Sequence, residues 1–328
     1  MKIVKKYATI SVLKKALETF MNTSKKKIYT LLGLLTFSIC IFLGALFLFL
    51  SKQENRVLET EKEQPSEVDT EESIAPPQLT PLSYVEQIEL SYVEQPKKRT
   101  REEALAKIQE LSRWYPALNY VYQNEAQYPI ELLLSGAGNP EMTDYLYGYL
   151  SSDGTITGGF TDEEQPQDHP LFLQFDPRWG YLEYGTRGTV GSSGCGPACL
   201  SMAIFYLTGD RTCTPGAAAQ YSLENNYYIH GVGTSWTLLT DYPAEFGLTS
   251  TQITYDEATL KAELDKGHYI ICSVRPGNFT STGHFILIYG YDENGFKIND
   301  PKCVYRSRLS WTYEQIRNDI KAAWSVGR

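Results

Sequence analysis

Gly194-Cys195-Gly196-Pro197-Ala198-Cys199-Leu200-Ser201-Met202-Ala203 sets a cysteine between two glycines, adds a proline and then opens an apolar run. The pattern predicts a tight turn feeding a helix, with Pro197 in the first turn, where its missing N–H costs nothing. A cysteine there faces unpaired N–H groups and the positive end of the helix dipole. Both favour thiolate, the nucleophilic form. The same stretch also reads as a small buried cysteine on a core helix, since free cysteine is commonly buried. Its neighbours in sequence have to choose between the two.

Residues 169–328 alternate apolar runs with turn signals. Leu171–Phe175 reads as a short extended stretch stopped by Asp176-Pro177. Gly196–Leu207 is the helix just described, stopped by Gly209. Leu238–Phe246 and Ala258–Leu264 read as further helices, closed by Gly247 and by Lys266-Gly267. Three strand candidates follow: Tyr269–Val274, His284–Tyr291 and Gly295–Asn299. The last two are joined by the hairpin signal Asp292-Glu293-Asn294-Gly295. Ser310-Trp311 begins a final turn or helix. An early helix followed by an antiparallel sheet is an α+β arrangement.

A thiolate nucleophile needs a base, the base needs an orienting group, and the developing oxyanion needs donors. His284 opens a strand, Asp300 ends the next one, and Gln174 lies upstream just before a turn. These residues, with Cys195, fit the four roles. Each also has an ordinary reading: a strand-end histidine, an Asp-Pro turn, a surface glutamine. His169, His230 and His268 are the other histidines, and none opens a strand whose partner ends in a carboxylate. A regular hairpin with Tyr291 opposite Phe296 sets Asp300 opposite Leu287, an odd step from His284, so the two side chains point to opposite faces. The triad therefore requires a bulge, for which Gly290 is a candidate, or a bend at Asn299-Asp300-Pro301. If the strand is regular, Asn299 is the better orienting residue.

Taken in order, Gln174, Gly194-Cys195-Gly196-Pro197, Gly283-His284-Phe285 and Asn299-Asp300-Pro301 resemble the bacteriocin-processing, double-glycine-type peptidases and their secreted relatives. The connecting motifs Pro177-Arg178-Trp179, Gly231-Val232-Gly233-Thr234-Ser235-Trp236 and Arg275-Pro276-Gly277-Asn278-Phe279-Thr280 share in the resemblance, which runs from about Pro170 to Trp324. It implies a papain-like fold with the nucleophile helix packed on the antiparallel sheet. It also implies Cys195 as nucleophile, His284 as base, Asp300 as orienting residue and Gln174 as oxyanion-hole donor. The best-known relatives are fused to exporters and cut leader peptides. This sequence carries no Gly-rich Lys-Ser/Thr phosphate loop, so the chemistry follows from the resemblance more readily than any substrate.

Upstream, composition changes abruptly. Residues 1–50 hold eight lysines against one acid, Glu18, a net +7 in a chain of net −9, so the remainder carries −16. An acidic body argues against nucleic acid as a partner. Ile28–Leu50 contains no charged residue and would span roughly 35 Å as a helix. The lysines before it predict a cytoplasmic tail (1–27), a single transmembrane helix (28–50) and an extracellular remainder in the cell membrane. The uncharged stretch is too long for a cleaved signal peptide, and no small-residue cleavage site follows it. Residues 51–99, rich in Glu, Gln, Pro and Ser, read as a disordered acidic tether that contains the short repeat Ser83-Tyr84-Val85-Glu86-Gln87 and Ser91-Tyr92-Val93-Glu94-Gln95.

Thr100-Arg101-Glu102-Glu103 is a capping box. With Ala104, Leu105, Ile108 and Leu111 at helical spacing it opens a small helical region, 100–150. Pro129–Leu134 and Asn139-Pro140 start two more short helices. These are too few to form a core alone and are expected to pack on the next domain. A polar connector, 151–168, leads to the peptidase-like domain, 169–328.

Five cysteines follow residue 50: Cys195, Cys199, Cys213, Cys272 and Cys303. An odd count leaves one thiol free beside at most two bridges. Cys199 lies one turn below Cys195 and reads as core. No pair has metal-ligand spacing beside a histidine, so neither metal nor cofactor is expected. The expected function is an extracellular, membrane-anchored cysteine peptidase acting on a peptide or protein. The alternatives are an amidase or endopeptidase acting on cell-wall peptide, and a catalytically idle surface-binding module.

Overall fold

A computed structural model describes residues 93–164, 167–185 and 188–328. The basic tail, the apolar stretch 28–50 and most of the acidic stretch lie outside the described residues. Among the described residues no helix is long and apolar enough to cross a membrane.

Four short helices come first: α1 (Arg101–Leu111), α2 (Ala117–Gln123), α3 (Ile130–Gly138) and α4 (Thr143–Tyr149). The capping box at the start of α1 is formed: the Thr100 hydroxyl accepts from Glu103 N–H, and the Glu103 carboxylate accepts from Thr100 N–H at 2.8 Å. Ile108, Leu111, Leu132, Leu133 and Leu146 form one buried cluster, which also takes in Leu173, Phe175 and Val304. The helical region therefore shares its core with the chain beyond it. Residues 93–99, read from sequence as the end of a disordered tether, are instead extended chain held on these helices. Glu94 N–H donates to Gly138 O, and the Glu94 carboxylate pairs with Arg99, Lys97 and Lys107.

Beyond the connector come a single helical turn, α5 (Val190–Ser193), then α6 (Cys195–Thr208), α7 (Pro215–Glu224), α8 (Trp236–Asp241), α9 (Glu257–Asp265), α10 (Val304–Ser307) and α11 (Tyr313–Ile316). Eight strands accompany them: β1 (Tyr228–Ile229), β2 (Gly233–Thr234), β3 (Thr249–Ile253), β4 (Tyr269–Val274), β5 (His284–Asp292), β6 (Gly295–Asn299), β7 (Ser310–Trp311) and β8 (Ile320–Gly327). The last six form one antiparallel sheet in the order β3-β8-β4-β5-β6-β7. The α+β arrangement is the one expected.

Both faces of the sheet are covered. Ile271, Phe285, Leu287, Ala322 and Trp324 join α6 residues in one core. Ile270, Cys272, Ile286, Ile288 and Ala323 join Leu260 of α9 in a second. Helix α6 is buried from Gly196 to Phe205 and so forms the centre of the domain.

The structure also differs from the sequence reading within this domain. Leu171–Phe175 is irregular rather than extended strand. Ser310-Trp311 is a short edge strand, and the helical turn follows it as α11. Helix α7 was not among the elements read from the sequence. Pro215 takes the first helical position behind the Thr214 cap. Strand β8 was not expected either. Lys321-Ala322-Ala323 has weak strand preference, and seven of the eight β8 residues are buried, so no alternation marks it.

Candidate active site

Cys195 is the first residue of α6, so its N–H and that of Gly196 have no partner within the helix. The flanking glycines are demanded by space. A side chain at Gly194 would stand 2.6 Å from Val190 atoms, and one at Gly196 would stand 3.0 Å from Thr234 of β2. Close approach of both neighbours leaves the cysteine half-buried at the helix start.

His284 is the first residue of β5 and 7% exposed, and Asp300 follows β6 and is fully buried. Their meeting depends on the hairpin register. Tyr291 pairs with Phe296 and Gly290 with Lys297, but the next pair is Ile288 with Ile298. Tyr289, beside Gly290, is therefore an extra residue in the strand. The bulge moves Asn299 opposite Leu287. Asp300, one residue on, falls an even step from His284. The His284 Nε2 to Asp300 Oδ1 distance is 2.7 Å. The irregularity that the sequence required is present, at Tyr289 rather than at its neighbour Gly290.

Asn299, the alternative orienting residue, points elsewhere. Its amide donates to Tyr206 OH at 2.8 Å and to His169 O at 3.2 Å. The His169 ring in turn stacks on Tyr289, 4.9 Å between centroids, and its Nε2 lies 2.9 Å from Tyr269 OH. An aromatic group thus packs against the bulge residue itself.

The Asp300 carboxylate is fully engaged. Oδ1 also accepts from Lys302 N–H at 2.8 Å, and Oδ2 accepts from Arg306 Nε at 2.6 Å. Burial alone would raise its pKa, but the charges and hydrogen bonds of Arg306 and His284 hold it far below the ordinary carboxylate value. With Nε2 on Asp300, Nδ1 is the nitrogen left to face Cys195, whose charge is coupled to that of His284. Burial opposes a charged imidazole, but the Asp300 carboxylate and the Cys195 sulfur outweigh it and push the His284 pKa up to about 9. Burial likewise opposes a thiolate at Cys195. The His284 charge and hydrogen bond, the Phe285 N–H and the Lys302 charge reverse that and bring the thiol below its ordinary value.

The other described cysteines behave oppositely. Cys199, Cys213, Cys272 and Cys303 are buried and unbridged, and burial pushes the thiols of Cys213 and Cys272 up to about 12. Cys199 is raised as well, by burial and by the neighbouring Cys195. It is a core residue of α6.

Gln174 is buried and tied to this set through the backbone, its N–H donating to Pro301 O at 2.7 Å. Its Nε2 donates to Gly191 O at 2.8 Å, and Oε1 has no partner. Reversing the amide would set two oxygens against each other, so the donor end is fixed and its second N–H remains to be used. The structure therefore hydrogen-bonds His284 to Asp300, couples His284 electrostatically to Cys195, and joins Gln174 at the adjoining loop.

Arg306 and Lys302 were not singled out from sequence. The spacing Asp300-Pro301-Lys302 to Arg306 is a signal only once α10 is known to turn back on Asp300. Among the described residues no three His, Cys, Asp or Glu side chains gather as a metal site would need.

Two cavities, of about 460 and 430 Å³, flank Ser192-Ser193, which lead directly into Gly194-Cys195. Glu131 of α3 lines both. Tyr149 and Tyr228 line the first, and Thr280, Thr282 and Lys302 line the second. The helical region thus lines both cavities, while Cys195 and His284 line neither.

Comparison with known proteins gives one family. Residues 166–326 match the Peptidase C39 like family. No curated protein matches the chain. Among solved structures, the peptidase domain of Streptococcus ComA, described as a bi-functional ABC transporter involved in quorum sensing, is similar. It has 18% identity and a TM-score of 0.36 over 48% of this chain and 98% of that one. A putative C39-like peptidase from Bacillus anthracis is similar at 14% identity and a TM-score of 0.34, over 49% of this chain and 95% of that one.

Proposed function

We propose that residues 166–326, which match the Peptidase C39 like family, form a cysteine peptidase domain that hydrolyses peptide bonds through Cys195, His284 and Asp300. The observation that carries the reading is the hydrogen bond from His284 to a buried carboxylate, with His284 coupled in turn to a half-buried thiol at a helix start. The Cys195 thiolate attacks the scissile carbonyl carbon. The oxyanion that develops faces the free N–H at the start of α6 and the unused N–H of Gln174. His284, carrying the proton, gives it to the leaving amine as the C–N bond breaks, and an acyl thioester remains on Cys195. Water then attacks the thioester. His284 takes the water's proton, the C–S bond breaks, and the acid product leaves as the thiolate and imidazolium re-form.

The substrate is a peptide or protein segment that can lie along Ser192-Ser193 between the two cavities. The basic tail and uncharged stretch 28–50 support an anchor in the cell membrane with the peptidase domain outside. Turnover of a peptide library, followed by mass spectrometry, tests the activity. Wild type is expected to cleave, and Cys195→Ala to cleave nothing while keeping its melting temperature. Equal cleavage by the two proteins would overturn the reading.

A further inference from the structure

The helical region lies outside the residues that match the family, yet one of its side chains reaches the support of Asp300. Glu141, between α3 and α4, is fully buried. Its Oε2 accepts from Val304 N–H at 2.7 Å, and its Oε1 accepts from Tyr305 N–H at 2.9 Å. These are the first two N–H groups of α10, which the helix cannot satisfy itself. Two residues further along α10 stands Arg306, whose Nε donates to Asp300. Asn139 adds a second tie, its amide donating to Lys302 O at 2.7 Å, while its own oxygen accepts from Glu141 N–H at 3.0 Å. Lys302 N–H in turn donates to Asp300 Oδ1.

From these contacts we infer that Glu141 is a positioning residue of the peptidase. It fixes α10 so that Arg306 and the Lys302 backbone hold Asp300, and through Asp300 it holds His284 at Cys195. The inference rests on the proposed triad. It makes the helical region part of the catalytic apparatus, rather than a spacer or a removable cover.

The chemistry favours this over a purely structural role. A buried carboxylate is costly unless hydrogen-bonded, and the two shortest hydrogen bonds that Glu141 accepts come from backbone N–H groups of one short helix, beside weaker ones from Asn139 and Cys303. Four residues cannot hold that helix by their own hydrogen bonds. Ser307, the last residue of α10, accepts from Asp300 N–H at 2.8 Å, so the same helix meets Asp300 by main chain as well as side chain. A shift of α10 therefore moves both supports of the carboxylate together. Misplacement of about 1 Å far from the reacting atoms is enough to cost about 10²-fold in rate.

The test uses the full chain and reads the rate of Cys195 alkylation by iodoacetamide against pH, with the modified cysteine identified by mass spectrometry. It also reads kcat and KM on a cleaved peptide. Glu141→Gln keeps the shape but sets an amide N–H₂ against one of the α10 N–H groups. It is expected to move the onset of alkylation toward the ordinary thiol range and to lower kcat about 10²-fold with KM little changed. Glu141→Asp should restore part of both. Arg306→Lys should reproduce the Glu141→Gln signature, and it serves if the latter does not fold. Tyr128→Phe removes a buried hydrogen bond to Leu146 O within the helical region, away from α10. It should lower the melting temperature and leave the alkylation profile as in wild type. Glu141→Gln and Arg306→Lys profiles superimposable on wild type would overturn the inference. If wild type itself alkylates Cys195 as an ordinary thiol, the proposed triad fails instead.

Discussion

At the scale of single residues, the proposed triad sets burial, which penalises charge, against the mutual attraction of Cys195 and His284. Thiolate and imidazolium each lose hydration, and each is a main compensation for the other. Because the two titrate together, the pH dependence belongs to the pair. The His284 proton is held up to about 9, so kcat/KM should fall as pH rises through about 9. The same raised value means that the charged histidine's contribution to stability is complete below its unfolded value and is lost as pH climbs through that range. The acid limb should lie below the ordinary thiol value of about 8.5. A kcat/KM profile on any cleaved peptide checks both limbs, and a rise that begins only above about pH 8.5 would contradict the pairing. Asp300→Asn should keep the fold but lower kcat by about 10² or more, since a neutral amide cannot stabilise the imidazolium. Arg306→Leu leaves the Asp300 charge buried with one partner fewer. A loss of about 3–5 kcal/mol in denaturant unfolding is expected, against little change for exposed arginines such as Arg308.

At the scale of elements, the hairpin β5–β6 decides whether a triad exists. Its turn, its strands and the need for an irregularity were all legible, because strand parity is a strict rule and Asp300 violates it in a regular ladder. The exact extra residue was not legible. Tyr289 owes its place to the packing of His169 from over a hundred residues upstream, a contact that no local pattern announces. Deleting Tyr289 should restore a regular register and abolish turnover while far-ultraviolet circular dichroism remains that of a folded α+β protein. A deletion variant with wild-type kcat would contradict the role of the bulge. Helix α6 was legible from its glycines, proline and apolar run. Strand β8 was hidden for the opposite reason, since a strand buried on both faces has no period. Arg306 was hidden because its partner depends on how a four-residue helix is turned.

At the scale of the whole molecule, the described chain is one hydrophobic structure, with Leu173, Phe175 and Val304 inside the core of the helical region. The helices before residue 150 were expected to pack on the next domain because they are too few to form a core alone, but no pattern in them showed that Glu141 meets α10. Calorimetry of the chain from residue 93 onward should show a single cooperative transition. Two separated transitions would mean that the helical region is an independent domain. The proposed function turns on one property, a Cys195 thiolate made by His284. The most direct measurement is the pH dependence of iodoacetamide alkylation at Cys195, compared between wild type and His284→Ala. The account predicts that wild type is alkylated at Cys195 well below about pH 8.5 and that the variant reverts to the profile of an ordinary thiol. Identical profiles in the two proteins would contradict it.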